Sequence, residues 1–399
     1  MAANEAQILA NYYTLAKPRS VRLPQIKNAS SGNTYDFTLP QAGVPRYIKL
    51  TFSGTVSRTE GATVGTATAS PWAPFNFFSN ISLTDYAGTN RVYTITGWNL
   101  FRRAMQTAAK RFAYALQNPQ GSLNNPPSYT AEAFAFSIPA GTASTTTTAP
   151  ITFSVDVPCS LHHRTILGSW SAEVSGAQST LTVSLAPSQT APTAAPAAGA
   201  SGLSPDGLVN FTFVSGATTT ISVSGTLSAT YYFYDVPQGT PLPLSMFMNA
   251  YELVRVRGGA KYISAGTDAT FELLTGRTYY RLYEDIVISG VPTTVQGGSF
   301  AVTGVQFLVD NATPTLDEGT IDFLSRAAEI SGTPLPDGAF TWDWIDTPWV
   351  ANNYGALSTN LVLSSGISVE TPSWLDVVRE CLFPVSATSN LAKIGGTAG

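Results

Sequence analysis

Few side chains in this sequence have the type and spacing that chemistry requires. His162 and His163 are the two histidines among 399 residues. Adjacent residues of a strand point to opposite faces, so they chelate one metal poorly, and a surface or turn position is the simpler reading. Cys159 and Cys381 sit in different halves, without CxxC or other metal spacing, and read as buried, reduced thiols. Acidic neighbours occur at Glu284-Asp285, Asp317-Glu318 and Asp343 with Asp346. A glycosidase sets two carboxyls ~5–9.5 Å apart across a sugar cleft. Asp343 and Asp346, beside Trp342, Trp344 and Trp349, could imitate such a strip; an ordinary strand and turn with core tryptophans needs fewer assumptions. Asp317-Glu318 falls where a helix begins, where acids offset the helix dipole. Asn28, Asn80, Asn210 and Asn311 head N-x-S/T triplets, read as chance in an Asn/Thr-rich chain. No GxSxG elbow, HExxH or GxxxxGK[ST] occurs, and Gly395-Gly396 is too little for a phosphate loop. The expectation is no catalysis, no cofactor and no metal site.

The elements that would position any site are mostly strands. Residues 75–118 are organised differently from the rest. Phe77, Ser79, Ile81 and Leu83 alternate with Phe78, Asn80, Ser82 and Thr84, a strand with one buried face. Turn residues Asp85 to Asn90 lead to a second short strand, Arg91 to Thr96. Gly97 breaks it, and Trp98, Phe101, Met105, Ala108, Phe112 and Leu116 then recur at helical spacing. Before this stretch, residues 3–16 read as a short helix stopped by Pro18, with Ile8, Leu9, Tyr12, Tyr13 and Leu15 on one side. After it, alternating runs mark strands at 151–157, 181–185, 209–213 and 221–233. The three prolines of 237–243 mark a boundary, and strands then resume around 251–257, 268–275, 279–289 and 298–310. A helix follows at 320–330, by Ile321, Leu324, Ala327 and Ala328; strands at 340–344, 357–363 and 374–383 close the fold.

The predicted fold class is therefore all-β: two tandem eight-stranded antiparallel jelly rolls, each with an inserted helix, plus a short N-terminal helix. The expected domains are a helical arm at 1–22, rolls at 23–237 and 238–385, and a small polar tail at 386–399.

Composition narrows the partners. Apolar residues make up 44% and charged residues 12%, about half the usual ~25%. Such a surface is either Ser/Thr/Asn/Gly-rich or hidden against partners. The net charge of −4 argues against sequence-specific nucleic-acid binding. Basic residues do cluster: Arg91, Arg102, Arg103, Lys110 and Arg111 lie in an acid-free stretch, and Lys17, Arg19, Arg22 and Lys27 follow the first helix. Either group could face an anionic lipid or polymer, though a solvated helix face is the simpler reading for the former. No apolar run approaches the ~18 residues of a membrane span. The first residues lack the pattern of a secretory signal, which with the two thiols leads us to expect folding in a cytoplasm.

Several strings in order resemble the double jelly-roll major capsid proteins of tectivirus-like, internal-membrane bacteriophages, in the lineage shared with adenovirus hexon. Pro74-Phe75-Asn76 through Gly97-Trp98-Asn99-Leu100 resembles that family's strand–turn–strand entry into the first inserted helix. Leu242-Pro243-Leu244 through Arg281-Leu282-Tyr283 resembles the crossover into the second roll. Gly297-Gly298-Ser299-Phe300, Phe323-Leu324-Ser325-Arg326, Pro336-Asp337-Gly338 and Asn353-Tyr354-Gly355 follow in the family's order, so the likeness spans residues 35–385. The second helix is less charged than the family's, and the Ala/Pro-rich 187–205 loop departs from it. The resemblance implies a non-enzymatic virion protein made in the host cytoplasm. Its homotrimers would form pseudo-hexameric capsomers tiling an icosahedral shell, meeting neighbouring capsomers and minor capsid, penton or cement proteins. It also implies that the arm, with Ile8, Leu9, Tyr12, Tyr13, Lys17, Arg19, Arg22 and Lys27, contacts neighbouring capsomers or an anionic inner membrane. A carbohydrate-binding or carbohydrate-cleaving β-sandwich, or a spike, is the competing expectation.

Overall fold

The computed structural model describes residues 7, 10, 12–85, 88, 90–107, 134–162, 165–173, 178–196, 207–235, 249–257, 263–310, 314–331 and 335–384. In chain order the first half contributes β1 (Lys17–Arg22), β2 (Ile26–Ser30), β3 (Thr34–Thr38), β4 (Val44–Thr59), β5 (Thr66–Ala69), β6 (Phe78–Thr84) and β7 (Asn90–Ile95). Helix α1 (Gly97–Thr107) follows, then β8 (Phe134–Phe136), β9 (Thr146–Pro158), β10 (Thr180–Leu185), β11 (Gln189–Thr190), β12 (Val209–Thr212) and β13 (Thr220–Asp235). The second half begins with β14 (Asn249–Arg257), β15 (Asp268–Leu273), β16 (Thr278–Ile288), β17 (Val291–Pro292), β18 (Val295–Gln296), β19 (Ser299–Phe300), β20 (Val302–Val309) and β21 (Pro314–Gly319). Helix α2 (Thr320–Ser331), β22 (Ala339–Asp343), β23 (Trp349–Val350), β24 (Leu357–Leu363) and β25 (Trp374–Pro384) complete it.

Alternation builds the outer layers. Along β13, Ile221, Val223, Leu227, Ala229, Tyr231 and Phe233 are buried, as the period of two requires, with Gly225 at the intervening in-phase position. There Gly225 pairs with Gly54 of β4, and a Cβ on either would meet the other strand's backbone within 2.4 Å. The first sheet runs β1-β13-β4-β9-β8. Its inner face packs on β7-β6-β10-β3 to enclose one core, with Phe52, Phe77, Phe78 and Phe153 at the centre. In the second roll β15-β24-β20-β21 packs on β16 and β25 around Leu282, Ile286, Phe307, Trp342 and Leu361. Each half is thus an antiparallel sandwich of two sheets with a helix inserted between strands.

The two rolls are fused. Strand β14 pairs parallel with β7 through Leu253 opposite Val92 and Val254 opposite Tyr93, making one ten-stranded sheet that runs from the first roll into the second. Within it, β16 and β25 are covered on both sides. Tyr251, Leu253, Tyr283, Val378 and Leu382 enter the first core, while Tyr279, Leu282, Leu375, Val377 and Cys381 enter the second.

Several elements differ from the sequence reading. Residues 17–22, assigned there to a helical arm, form an edge strand on β13, with Pro18 opposite Tyr234. An edge tolerates proline, whose missing N–H faces outward. On α2 the buried apolar residues are Phe323 and Ala327, and Ile321 is exposed, because the Phe323 ring packs on Phe340 and Trp342. Asp317 and Glu318 lie in β21 rather than in the helix, and Glu318 pairs with Arg326 at 2.9 Å. The 237–243 boundary, the helix beyond Thr107 and the 386–399 tail fall outside the described residues.

Candidate functional site: the seam between the rolls

The seam begins with a helix start. The Thr96 hydroxyl accepts the Asn99 N–H, and the Asn99 side-chain oxygen accepts the Thr96 N–H, each at 3.3 Å. Gly97 must be glycine here because a Cβ would come within 2.3 Å of the Phe75 carbonyl oxygen. From this start α1 turns Leu100, Phe101 and Met105 into the first core, with Phe101 stacked on Phe75. The next two positions carry charge toward the second roll. Arg102 Nη1 lies 2.5 Å from Asp285 Oδ1, and its Nη2 donates to the carbonyls of Glu284 and Phe340 at 3.0 and 2.8 Å. Arg103 donates to Glu380 Oε1 through Nε at 3.0 Å and Nη2 at 2.6 Å. Tyr251 and Tyr283 donate to the two oxygens of the same carboxylate at 3.1 and 2.8 Å. Arg281, 2.9 Å from Asp343, lies 3.6 Å from its far oxygen.

These groups are almost wholly buried. Burial drives Glu380 upward, but Arg103, Arg281 and the hydrogen bonds outweigh it and hold the carboxyl below the ordinary range. Glu284 goes the other way. Burial raises it, and the hydrogen bonds from Thr359 and Trp342, with Arg102, do not compensate. Asp285 is likewise raised by burial against the pull of Arg102. A buried pair gains little net stability over an apolar match, yet losing one partner costs about 3–5 kcal/mol. Arg102 and Arg103 thus tie α1 to β16 and β25 of the second roll.

Composition offered Arg91, Arg102 and Arg103 as part of a basic or solvated face. Arg91 is instead buried on Asp85 at 2.8 Å, and the other two lie in the seam. Lys110 and Arg111 fall outside the described residues. The signal that could have placed these arginines is the unusual acid content of β16 and β25, where Glu284, Asp285, Asp376 and Glu380 sit among apolar neighbours.

The other sequence candidates separate widely. Trp342 is a core residue whose indole donates to Glu284; Trp344 and Trp349 pack with it around Phe307 rather than forming an open strip. Asp343 is bound to Arg281, and Asp346 is exposed. Cys159 and Cys381 are free and buried, and burial pushes both thiols up, away from reactivity. His162 is half-buried, and His163 lies outside the described residues. Among the described residues no three His, Cys, Asp or Glu side chains gather as metal ligands, and no helix is long and apolar enough to cross a membrane.

The arm residues do come together, along one edge of the first roll. Tyr12 is buried among Ala16, Val44 and Ile166, with Tyr234 alongside. Tyr13 stays exposed, its hydroxyl 3.2 Å from that of Thr165. Lys17, Arg19 and Arg22 project from β1 and Lys27 from β2; both strands pair with β13. Arg19 reaches Asp235 at 2.7 Å. Ile8 and Leu9 lie outside the described residues.

No family model and no curated protein matches the chain by sequence. Solved structures match it by shape. The major capsid protein of STIV, the Sulfolobus turreted icosahedral virus, superposes at a TM-score of 0.58 with 10% identity, over 96% of this chain and 100% of that one. The PBCV-1 virus capsid gives 0.50 at 10% identity, covering 92% and 95%. The Sputnik virophage gives 0.50 at 11% identity, covering 96% and 91%. At such identity the likeness is one of fold: this chain has the double jelly-roll architecture found in viral major capsid proteins.

Proposed function

We propose that the chain is the major capsid protein of an icosahedral virus, assembled as pseudo-hexameric homotrimers. The observation that carries this reading is the parallel pairing of β7 with β14, which joins two jelly rolls through one sheet. Three such bodies around a threefold axis present six lobes, a hexagonal outline that tiles a facet more evenly than three lobes would. A shell protein must also desolvate wide areas between subunits, where unpaired charges cost several kcal/mol each. The 12% charged composition fits that demand, and in this fold many of the charged groups are spent inside the seam rather than on the surface.

The basic edge built from Lys17, Arg19, Arg22 and Lys27, with Tyr13 and Leu15 exposed beside it, is the surface for neighbouring capsomers or for an anionic inner membrane. Minor capsid, penton or cement proteins would meet the outer lobes. Two free, buried thiols suit synthesis in a reducing host cytoplasm. A carbohydrate-cleaving reading draws no support from the tryptophans: Trp342 is in the core, and Trp344 and Trp349 pack against it.

Light scattering and negative-stain microscopy of the purified chain test this reading. The expected result is a trimer with a hexagonal outline; a stable monomer that retains a glycan column would overturn it. Removing residues 1–16 should leave trimers intact and impair shell assembly. Flotation with anionic vesicles, with and without the combined changes Lys17→Gln, Arg22→Gln and Lys27→Gln, tests the membrane contact.

A further inference from the structure

Charge is divided unevenly between the two rolls. From the first residue to the end of β13 the sequence holds 13 of the chain's 21 basic residues and 9 of its 25 acidic ones; from the start of β14 on it holds 8 and 16. The surface sharpens the contrast. Among the described residues before β14, the exposed bases are Lys17, Arg19, Arg22, Lys27 and Lys49, and the exposed acids are Asp36 and Glu173. From β14 on the described residues expose one base, Arg257, while Glu272, Asp317, Asp322, Glu329, Asp346 and Glu370 are among the exposed acids. The first lobe is therefore positive toward solvent and the second negative.

Each sign is concentrated beside exposed apolar side chains. Strands β1 and β2 follow one another along β13, Arg22 opposite Thr230 and Ile26 opposite Leu227, and so form one edge. Lys17, Arg22 and Lys27 stand on it without an ion-pair partner among the described residues, and Leu15 and Val21 are 46% and 42% exposed. On α2, Phe323 and Ala327 face inward. The opposite side carries Asp322, Ser325 and Glu329, three and four residues apart, which is one stripe of a helix. Ile321 and Ile330 flank that stripe at 61% and 54%, the largest exposures of any large apolar side chain described. Asp322 and Glu329 also lack ion-pair partners among the described residues, and Arg326, the one base of this helix, is committed to Glu318.

Contact with water accounts for the charges but leaves the isoleucines without a role, and apolar groups rimmed by charge mark a contact surface. An anionic membrane would engage the basic edge and leave the α2 face bare. A second copy of the chain engages both. We infer that the β1–β2 edge of one copy docks on the α2 face of a copy in the neighbouring capsomer. This rests on the capsid reading above and chooses, of the two partners that reading allows the edge, the neighbouring capsomer. Two edges or two α2 faces brought together would oppose like charges, so the contact is heterologous. A copy that uses its edge keeps its α2 face free, and the contact can repeat across a facet. Positive and negative lobes alternate around the capsomer. Turning it by one lobe would again oppose like charges, so the charges fix how each capsomer is rotated against the next.

Sedimentation velocity of the full chain over a range of concentrations tests this. The expected result is trimers that associate further at about 0.1 M salt and far less at about 1 M, where the screening length falls from ~10 to ~3 Å. Reversing the edge, with Lys17→Glu, Arg22→Glu and Lys27→Glu together, should weaken association between trimers by about tenfold or more. Reversing the face, with Asp322→Lys and Glu329→Lys, should do the same. Arg19 is left in place because it holds Asp235. A chain carrying both reversals has opposite signs again and should recover association close to that of the unaltered chain. Melting curves check that each variant folds. Where one does not, glutamine and asparagine replace the reversed residues, and the combined neutral set should then weaken association no more than either set alone.

No association beyond the trimer in the unaltered chain, an edge or face reversal without effect, or a loss that the double reversal does not repair would each overturn the inference. So would association of the edge with anionic vesicles alone, unaffected by the α2 changes. Trimers that form but show no charge-dependent association overturn this inference and leave the trimer reading standing. Association through edge and face without prior trimers does the reverse.

Discussion

The outer sheet of the first roll and the shared middle sheet solve the same problem under different conditions. Strands β4, β9 and β13 have one face in the core and one toward solvent, and their sequences alternate accordingly: Leu50, Phe52 and Val56 are buried while Ser53 and Thr55 are exposed. Strands β16 and β25 have no solvent face. From Arg281 to Ile288 every residue is buried, as is every residue from Trp374 to Leu382. A sheet covered on both sides reads as a continuous run. This one departs from apolar uniformity by carrying Arg281, Glu284, Asp285, Asp376, Arg379 and Glu380, and most of those charges point at partners on other elements. The lesson is that the outer sheet holds a roll together while the middle sheet decides how the two rolls meet.

Four experiments press on that contrast. The largest effect is expected from Glu380→Leu, which strands Arg103 and two phenol hydroxyls in the seam: about 5 kcal/mol lost in urea unfolding. Combining it with Arg103→Met should cost less than the sum of the single changes by ~1 kcal/mol or more, the mark of direct coupling; strict additivity would show that the pair does not act as a unit. Next, Leu50→Ala in the outer sheet should cost about 3 kcal/mol through its cavity, with no such rescue by an Arg103 change.

The third experiment uses pH. Glu284 is raised in the folded state, so its contribution to stability is greatest at low pH and is lost as pH climbs from the ordinary value of 4.5 through the raised one. Glu284→Gln should flatten that decline in urea midpoints measured across the acidic range. Glu380 is lowered, so its contribution is present above 4.5 and is lost as pH falls toward its folded value; Glu380→Gln should reduce the acid sensitivity instead. Identical pH profiles for the two variants would contradict the opposite environments described above. The smallest effect belongs to the solvent side: Ser53→Ala, at an exposed position whose hydroxyl meets that of Thr152, should shift stability by no more than about 0.5 kcal/mol.

Much of the fold was legible beforehand where one physical rule acted alone. Alternation marked β13 from Ile221 to Phe233, and helical spacing from Trp98 marked the start of α1. The Gly97-Trp98 string was readable as a break, though not as the close approach to Phe75 that requires the glycine. Legibility failed where two elements share one strand. The alternation rule gives no reason for β1 to join β13, since all its residues are exposed. It also placed Arg102 and Arg103 on a polar helix face, because from the helix alone that face has no partner.

The sequence by itself determined that the chain makes strands, where their buried faces lie, and that a helix interrupts each run. It did so because hydrophobic period is a local property that neighbours along the chain can express. Only the tertiary structure decided that β7 and β14 join the rolls, and that Arg102 and Arg103 meet Asp285 and Glu380 across about 180 to 280 residues. Those contacts have no spacing rule. Their partners are chosen by burial, which makes an unpaired charge so costly that the assembled fold must supply its opposite.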